Sequence, residues 1–275
     1  MVLVIYIGAN DCGALKASDV GLSLSDAEAS IAAPFTSKYF EIDCVVSLMR
    51  EGRAALVTSF SCFKYMALYS FIQFISVTML YNVGSNLGDL QFLYIDLFLI
   101  LPLAITMAYS GPFRYLFYKK PTANLLSGKV MTSIFGQVII QMAFQIGINL
   151  LVKQQSFYTL PNTNPETEEI ACYENTVLFI VSSFQYIILA CIYSIGPPYR
   201  APLSKNIYFI ATAMFMILLT VLTTMAVFKQ LNSAMELLDM PFYFKLLLIV
   251  YCAVNYLTSY FSEKILFPLV LSKFN

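Results

Sequence analysis

FSCFKYMALYSFIQFISVTMLYNVGSNLGDLQFLYIDLFLILPLAITM, residues 60–107, is the stretch that decides the fold. Two apolar runs flank a short polar joint at Asn82 to Asn86, so the segment reads as a helical hairpin. A helix needs about 20 apolar residues to cross a hydrocarbon core of about 30 Å, and each arm supplies them. The second arm also carries Asp96, nine residues beyond Leu87 and therefore ~13 Å into the span. An aspartate at that depth costs about 2.5 to 3.5 kcal/mol on insertion scales. Asp96 is therefore expected to face protein, water or a cation rather than lipid. No lysine or arginine of any span lies at the depth to pair with it, which leaves a transported cation as the natural candidate.

Outward from the hairpin the pattern repeats. Six apolar segments run approximately from Leu56 to Tyr81, Leu87 to Ala108, Gly128 to Val152, Val177 to Ile195, Ile207 to Phe228 and Phe242 to Phe261. The composition agrees: 59% of the 275 residues are hydrophobic, 12% are charged, and the mean hydropathy is +0.73. This is the profile of an integral, multi-pass α-helical protein of the lipid bilayer. Charges alternate between the loops. Arg50, Arg53, Arg114, Lys119, Lys120, Arg200, Lys205, Lys264 and Lys273 fall on one side; Asp89, Glu166, Glu168, Glu169, Glu174, Glu236 and Asp239 fall on the other. The excess of basic residues on the first side predicts that both termini are cytosolic.

Other totals exclude chemistry. Sixteen basic residues balance sixteen acidic ones, so no net field calls for nucleic acid. Histidine is absent, and Cys12, Cys44, Cys62, Cys172, Cys191 and Cys252 show no C-x-x-C spacing, which argues against zinc, haem or a disulfide framework. Gln137, Gln141, Gln145 and Asn149 recur every four residues along one face of the third span. Amides at that spacing either line a pathway, as in an independent six-span channel, or bond between helices; interhelical bonding is the expectation, for Gln185 and Asn255 as well. The 19 tyrosines and 23 phenylalanines crowd the span ends as an interfacial belt.

The amino-terminal residues have a different grammar. Met1 to Ile7 reads as a buried strand rather than a signal peptide, because it lacks a basic leader and runs into Gly8-Ala9-Asn10-Asp11. Asn10 or Asp11 is placed to cap a short helix from Cys12 to Ala17. Asp19 to Leu24 reads as a second strand. Ser25 and Glu28 have capping-box spacing and open a helix through Ala33 that Pro34 ends. So short an α/β segment reads as the tail of a larger domain.

Several separated motifs carry a resemblance. Gly8-Ala9-Asn10-Asp11-Cys12-Gly13-Ala14-Leu15-Lys16-Ala17, then Gly21-Leu22-Ser23-Leu24-Ser25-Asp26-Ala27-Glu28-Ala29-Ser30, and Arg53-Ala54-Ala55-Leu56 resemble the carboxyl half of the phosphorylation domain of P-type ATPases. Phe63-Lys64-Tyr65-Met66-Ala67-Leu68-Tyr69-Ser70, Asn86-Leu87-Gly88-Asp89-Leu90-Gln91-Phe92-Leu93, Tyr173-Glu174-Asn175-Thr176 and Ser182-Ser183-Phe184-Gln185-Tyr186 narrow it to the polyamine-transporting members, type 5 subfamily B. The resemblance covers nearly everything from Gly8 onward. It implies six transmembrane helices (residues 56–275), the last six of ten, preceded by a partial α/β, haloacid-dehalogenase-like remnant of the cytosolic phosphorylation domain (residues 1–55, with 1–7 non-homologous).

The resemblance also implies ATP and magnesium for the full-length pump, a polyamine or other organic cation as cargo, and a late endosomal or lysosomal membrane. The sequence has no Asp-Lys-Thr-Gly phosphorylation motif, and no nucleotide-binding or actuator segment. Tyr6-Ile7-Gly8-Ala9-Asn10-Asp11 puts Ile7 where the hinge motif carries its magnesium-binding aspartate; Asn10 and Asp11 remain as its remnant. Isoleucine offers no oxygen to a hard cation. The chain alone is therefore expected to bind no cofactor and hydrolyse no ATP. It reads as a truncated product or incomplete gene model whose partner is the missing amino-terminal part. The alternative is a non-catalytic isoform that associates with full-length pumps.

Within the hairpin, Asp89 precedes Asp96 by two helical turns and Phe92 lies between them on the same face. Ion pairing and cation–π attraction along such a row suit a linear polyamine. Gln73 is expected at the depth of Asp96 across the hairpin, with Tyr69 one turn toward the cytosol. The resemblance carries Gln73, Asp89, Phe92, Asp96 and Tyr69 over as cation-binding residues. Pro102 is expected to kink the second arm and leave the Phe98 carbonyl without its helical partner. That kink reads either as a flexible point for alternating access or as a static break.

Overall fold

The computed structural model describes residues 3–6, 12–24, 33–39, 41–161 and 171–274. Strands β1 (Leu3–Tyr6), β2 (Val20–Ser23) and β3 (Phe35–Thr36) form a parallel sheet in that order, with Leu3 opposite Val20 and Leu22 opposite Phe35. Helix α1 (Cys12–Ala17) makes the crossover from β1 to β2. Gly21 lets the two elements close, because a Cβ there would lie 2.8 Å from the Leu15 carbonyl oxygen. The expected helix from Ser25 lies outside the described residues, as do Ile7, Asn10, Asp11 and the acidic residues Glu166, Glu168 and Glu169.

Six helices among the described residues are long and apolar enough to cross a membrane. They are α2 (Asp43–Tyr81), α3 (Asp89–Ala108), α4 (Gly128–Lys153), α5 (Tyr173–Tyr193), α6 (Ile207–Thr224) and α8 (Phe242–Lys273); a short α7 (Lys229–Ala234) joins the last two. The first differs from expectation: α2 starts at Asp43 rather than Leu56. At about 1.5 Å per residue its 39 residues span about 58 Å, nearly twice a hydrocarbon core, so α2 is longer than a crossing needs by about its polar first third.

Helix α5 is the axis of the bundle. Leu178, Val181, Tyr186, Leu189 and Tyr193 are all fully buried, and α2, α3, α4, α6 and α8 pack around it. A helix buried on every side belongs at such a centre. Helix α3 departs from α geometry between Tyr94 and Ile100, where the backbone is π-helical and the Leu101 N–H bonds the Asp96 carbonyl. Pro102, with no N–H to offer, sits just beyond. The expected break thus takes the form of a π segment ahead of the proline, with Asp96 inside it. A second π segment, Ser262–Leu266, interrupts α8.

The basic end of the bundle is tied by guanidinium groups. Arg50 and Arg53 on the polar first third of α2 donate to the carbonyls of Arg114 and Phe117 in the loop after α3, and Arg200 donates to the Met107 carbonyl. At the acidic end Lys153 lies 3.9 Å from Glu174, and Lys245 lies 2.5 Å from Asp239.

Candidate functional site

Helix α3 turns Tyr94, Ile95, Leu99, Ile100, Leu103 and Met107 into the bundle, which leaves Asp96, Leu97 and Phe98 on its outer face. Asp96 is accordingly exposed on the surface of this chain, midway along a span; the expectation from sequence was a position facing protein, water or a cation rather than lipid. It is held there by one strong bond: the Tyr69 hydroxyl donates to Asp96 Oδ1 at 2.5 Å. Charge-assisted O–H···O⁻ bonds are of this length and about twice the strength of neutral ones.

Gln73, one turn along α2, lies near the same Tyr69 hydroxyl. The direct bond to Asp96 thus comes from Tyr69, with Gln73 one turn along the same helix. In the joint between the arms Ser85, Leu87 and Gly88 are buried, and α3 begins at Asp89.

Phe92 is half-buried and packs against the core one turn from Asp96. Asp89 is exposed in the first turn of α3, where the helix dipole favours a carboxylate. Tyr69, Gln73 and Asp96 are thus brought together, Phe92 is adjacent, and Asp89 stands apart at the acidic end.

Three features of the surroundings were not singled out from sequence. Tyr186 on α5, fully buried, sets its ring against Tyr69 at 5.7 Å and 63°. Gln91 is buried and donates to the Met235 carbonyl while accepting from the Gly88 N–H, so it locks the start of α3. Lys64 does sit inside a span, but its partner is Glu263 on α8 rather than Asp96.

The glutamine stripe bonds between helices. Gln137 donates to the Ser259 carbonyl, Gln141 to Ser259 Oγ, and Gln145 to Ser76 Oγ and Gln185 Oε1.

Comparison with known proteins covers most of the chain. The chain is 50% identical to the vacuolar cation-transporting ATPase YPK9 of Saccharomyces cerevisiae, over 90% of this chain and 17% of that protein. It is 45% identical to human polyamine-transporting ATPase 13A2 and 40% identical to human polyamine-transporting ATPase 13A3. Each match covers 94% of this chain, and 22% and 23% of those proteins. The chain is a homologue of the P-type cation- and polyamine-transporting ATPases.

It spans about a fifth of the length of these relatives. No protein-family profile matches it. ATP and magnesium go with the full-length ATPases. Among the described residues no group of three His, Cys, Asp or Glu side chains converges on a metal.

Proposed function

We propose that this chain is membrane machinery of an ATP-driven polyamine transporter, with Asp96 and Tyr69 as the centre of its cation site. The observation that carries the reading is the Tyr69–Asp96 bond on an outward-facing, mid-span surface. A carboxylate held in low dielectric attracts an ammonium group far more strongly than it would in water. The Tyr69 proton keeps Oδ1 occupied and the carboxylate oriented, leaving Oδ2 for the cargo. Gln73 offers an amide oxygen beside it and Phe92 an aromatic ring. Asp89, two turns away and ~10 Å along the axis, would pair with a second ammonium of a linear polyamine.

Residues 1–55 would be the end of the cytosolic phosphorylation domain, and 56–275 the membrane domain. The basic end would face the cytosol, with both termini there and cargo passing into the cytosol. The name of the yeast relative supports a vacuolar membrane; a late endosomal or lysosomal one is the expectation from the resemblance. Phosphoryl transfer needs an Asp-Lys-Thr-Gly segment that is not in this sequence. The 275 residues by themselves should therefore form no phosphoenzyme.

The test is a chimera in which residues 56–275 of this chain replace the corresponding membrane segment of the yeast relative, whose own hinge residues are kept. Spermine, a linear tetraamine, should stimulate its ATP hydrolysis. Asp96→Asn should abolish the stimulation. Stimulation that survives Asp96→Asn unchanged removes Asp96 from the site.

A further inference from the structure

The site wall on α2 is braced from behind by α5. Tyr186 is fully buried in the central helix, and its one close ring contact among the described aromatics is with Tyr69. Tyr69 is only half-buried, so its phenol would otherwise be free to turn about its two side-chain torsions along an outer face. The edge-to-face packing against an immobile ring limits that freedom where the hydroxyl must point at Asp96. The Tyr186 hydroxyl lies beside Ser182 of its own helix and makes no hydrogen bond of good geometry, so it is the ring that meets Tyr69.

The residue before it adds a second brace. Gln185 Oε1 accepts from Gln145 Nε2, which also donates to Ser76 Oγ on α2 and lies 3.5 Å from the Ile72 carbonyl oxygen. Adjacent residues of α5 therefore hold α2 at two levels, at Tyr69 directly and at Ser76 through Gln145. Full burial keeps Tyr186 from touching any cargo at Asp96. Its effect must pass through Tyr69.

We infer that Tyr186 is a positioning residue of the cation site, fixing Tyr69 so that its hydroxyl meets Asp96; the inference rests on the reading of Asp96 given above. In the chimera, Tyr186→Leu should raise the spermine concentration for half-maximal stimulation about three- to tenfold, the range set by an edge-to-face contact. The maximal rate should stay within about twofold. Tyr186→Phe, which keeps the ring, should behave as wild type. Tyr69→Phe/Tyr186→Leu should be no worse than Tyr69→Phe, because both act through one bond.

Multiplying effects in the double variant, or an unshifted half-maximal concentration in Tyr186→Leu, would overturn the inference. If Tyr186→Leu does not fold, Tyr186→Met fills the volume without an aromatic face and should show the same shift. Stimulation unchanged in Asp96→Asn would instead bring down the site itself, and a shift confined to Tyr186 would then be structural.

Discussion

Lys64 on α2 and Glu263 on α8 are distant in the chain and 3.6 Å apart in the bundle. Ser133 of α4 sits between them, bonded to the Lys64 ammonium at 2.9 Å and donating to Glu263 at 2.7 Å, and the Tyr193 ring of α5 faces Lys64 at 5.1 Å. Four helices thus meet at one buried ion pair, with side chains 9% and 18% exposed. Breaking such a pair leaves an uncompensated buried charge, whereas replacing both partners by apolar groups is often neutral. Lys64→Met should cost about 3–5 kcal/mol in thermal or denaturant unfolding, and Lys64→Met/Glu263→Leu should recover most of it. A single variant as stable as wild type would mean that the pair is not closed in the bilayer.

Helices α4 and α8 approach through glycine. A Cβ at Gly136 would stand 2.3 Å from the Phe267 ring, and one at Gly147 would stand 2.5 Å from the Tyr251 hydroxyl, which itself bonds the Phe144 carbonyl. Small residues at membrane helix contacts permit this closeness. Gly136→Ala should destabilise by about 1–3 kcal/mol, the usual cost of overpacking, and Phe267→Leu in the same chain should relieve it. Unfolding measured for the two single variants and the double would show the relief as a non-additive term.

Much of this architecture was readable residue by residue. Cys12 to Ala17 was expected as a helix and is one, and most span ends lie within a few residues of their apolar runs. The start of α2 was hidden because residues 43–55 carry Arg50, Glu51 and Arg53, which a hydropathy reading takes for loop although no proline interrupts the helix. Pro102 announced a break but not its π geometry, which depends on how α3 seats against α5. Lys64–Glu263 and Tyr69–Tyr186 are partnerships across the bundle, and no local pattern encodes them. Asp96 stands out in the sequence by its chemistry, as a carboxylate in mid-span. Its outward direction could not be read there, since that depends on which face of α3 the core claims.

Gln91 shows how a single amide can set a loop. It is fully buried, donates to the Met235 carbonyl at 2.7 Å and accepts from the Gly88 N–H, so it joins the start of α3 to the turn after α7. Gln91→Leu keeps the volume and loses both bonds. It should lower stability by about 1–2 kcal/mol and speed hydrogen exchange at Gly88 before exchange rises elsewhere. Unchanged protection at Gly88 would show that the turn is held by other contacts.

Asp239 gives the bundle a pH dependence whose sign can be worked out. The Lys245 ammonium, hydrogen-bonded to it, holds its carboxyl below the usual carboxylate range, and partial burial opposes the shift only in part. A depressed value in the folded state means that the unfolded chain binds more protons, so stability rises with pH. The contribution is complete above the ordinary aspartate value of about 4 and is lost as pH falls through the depressed one. The side chain is 76% exposed, so screening limits this contribution to about 1 kcal/mol or less. Asp239→Asn should flatten the acid limb of the stability profile below about pH 4. It should also add a cost independent of pH, because Lys245, largely buried, would keep only its bond to the Met225 carbonyl. Unfolding midpoints from pH 3 to 7 separate the two effects: an acid limb as steep in Asp239→Asn as in the wild type would assign it to other carboxylates.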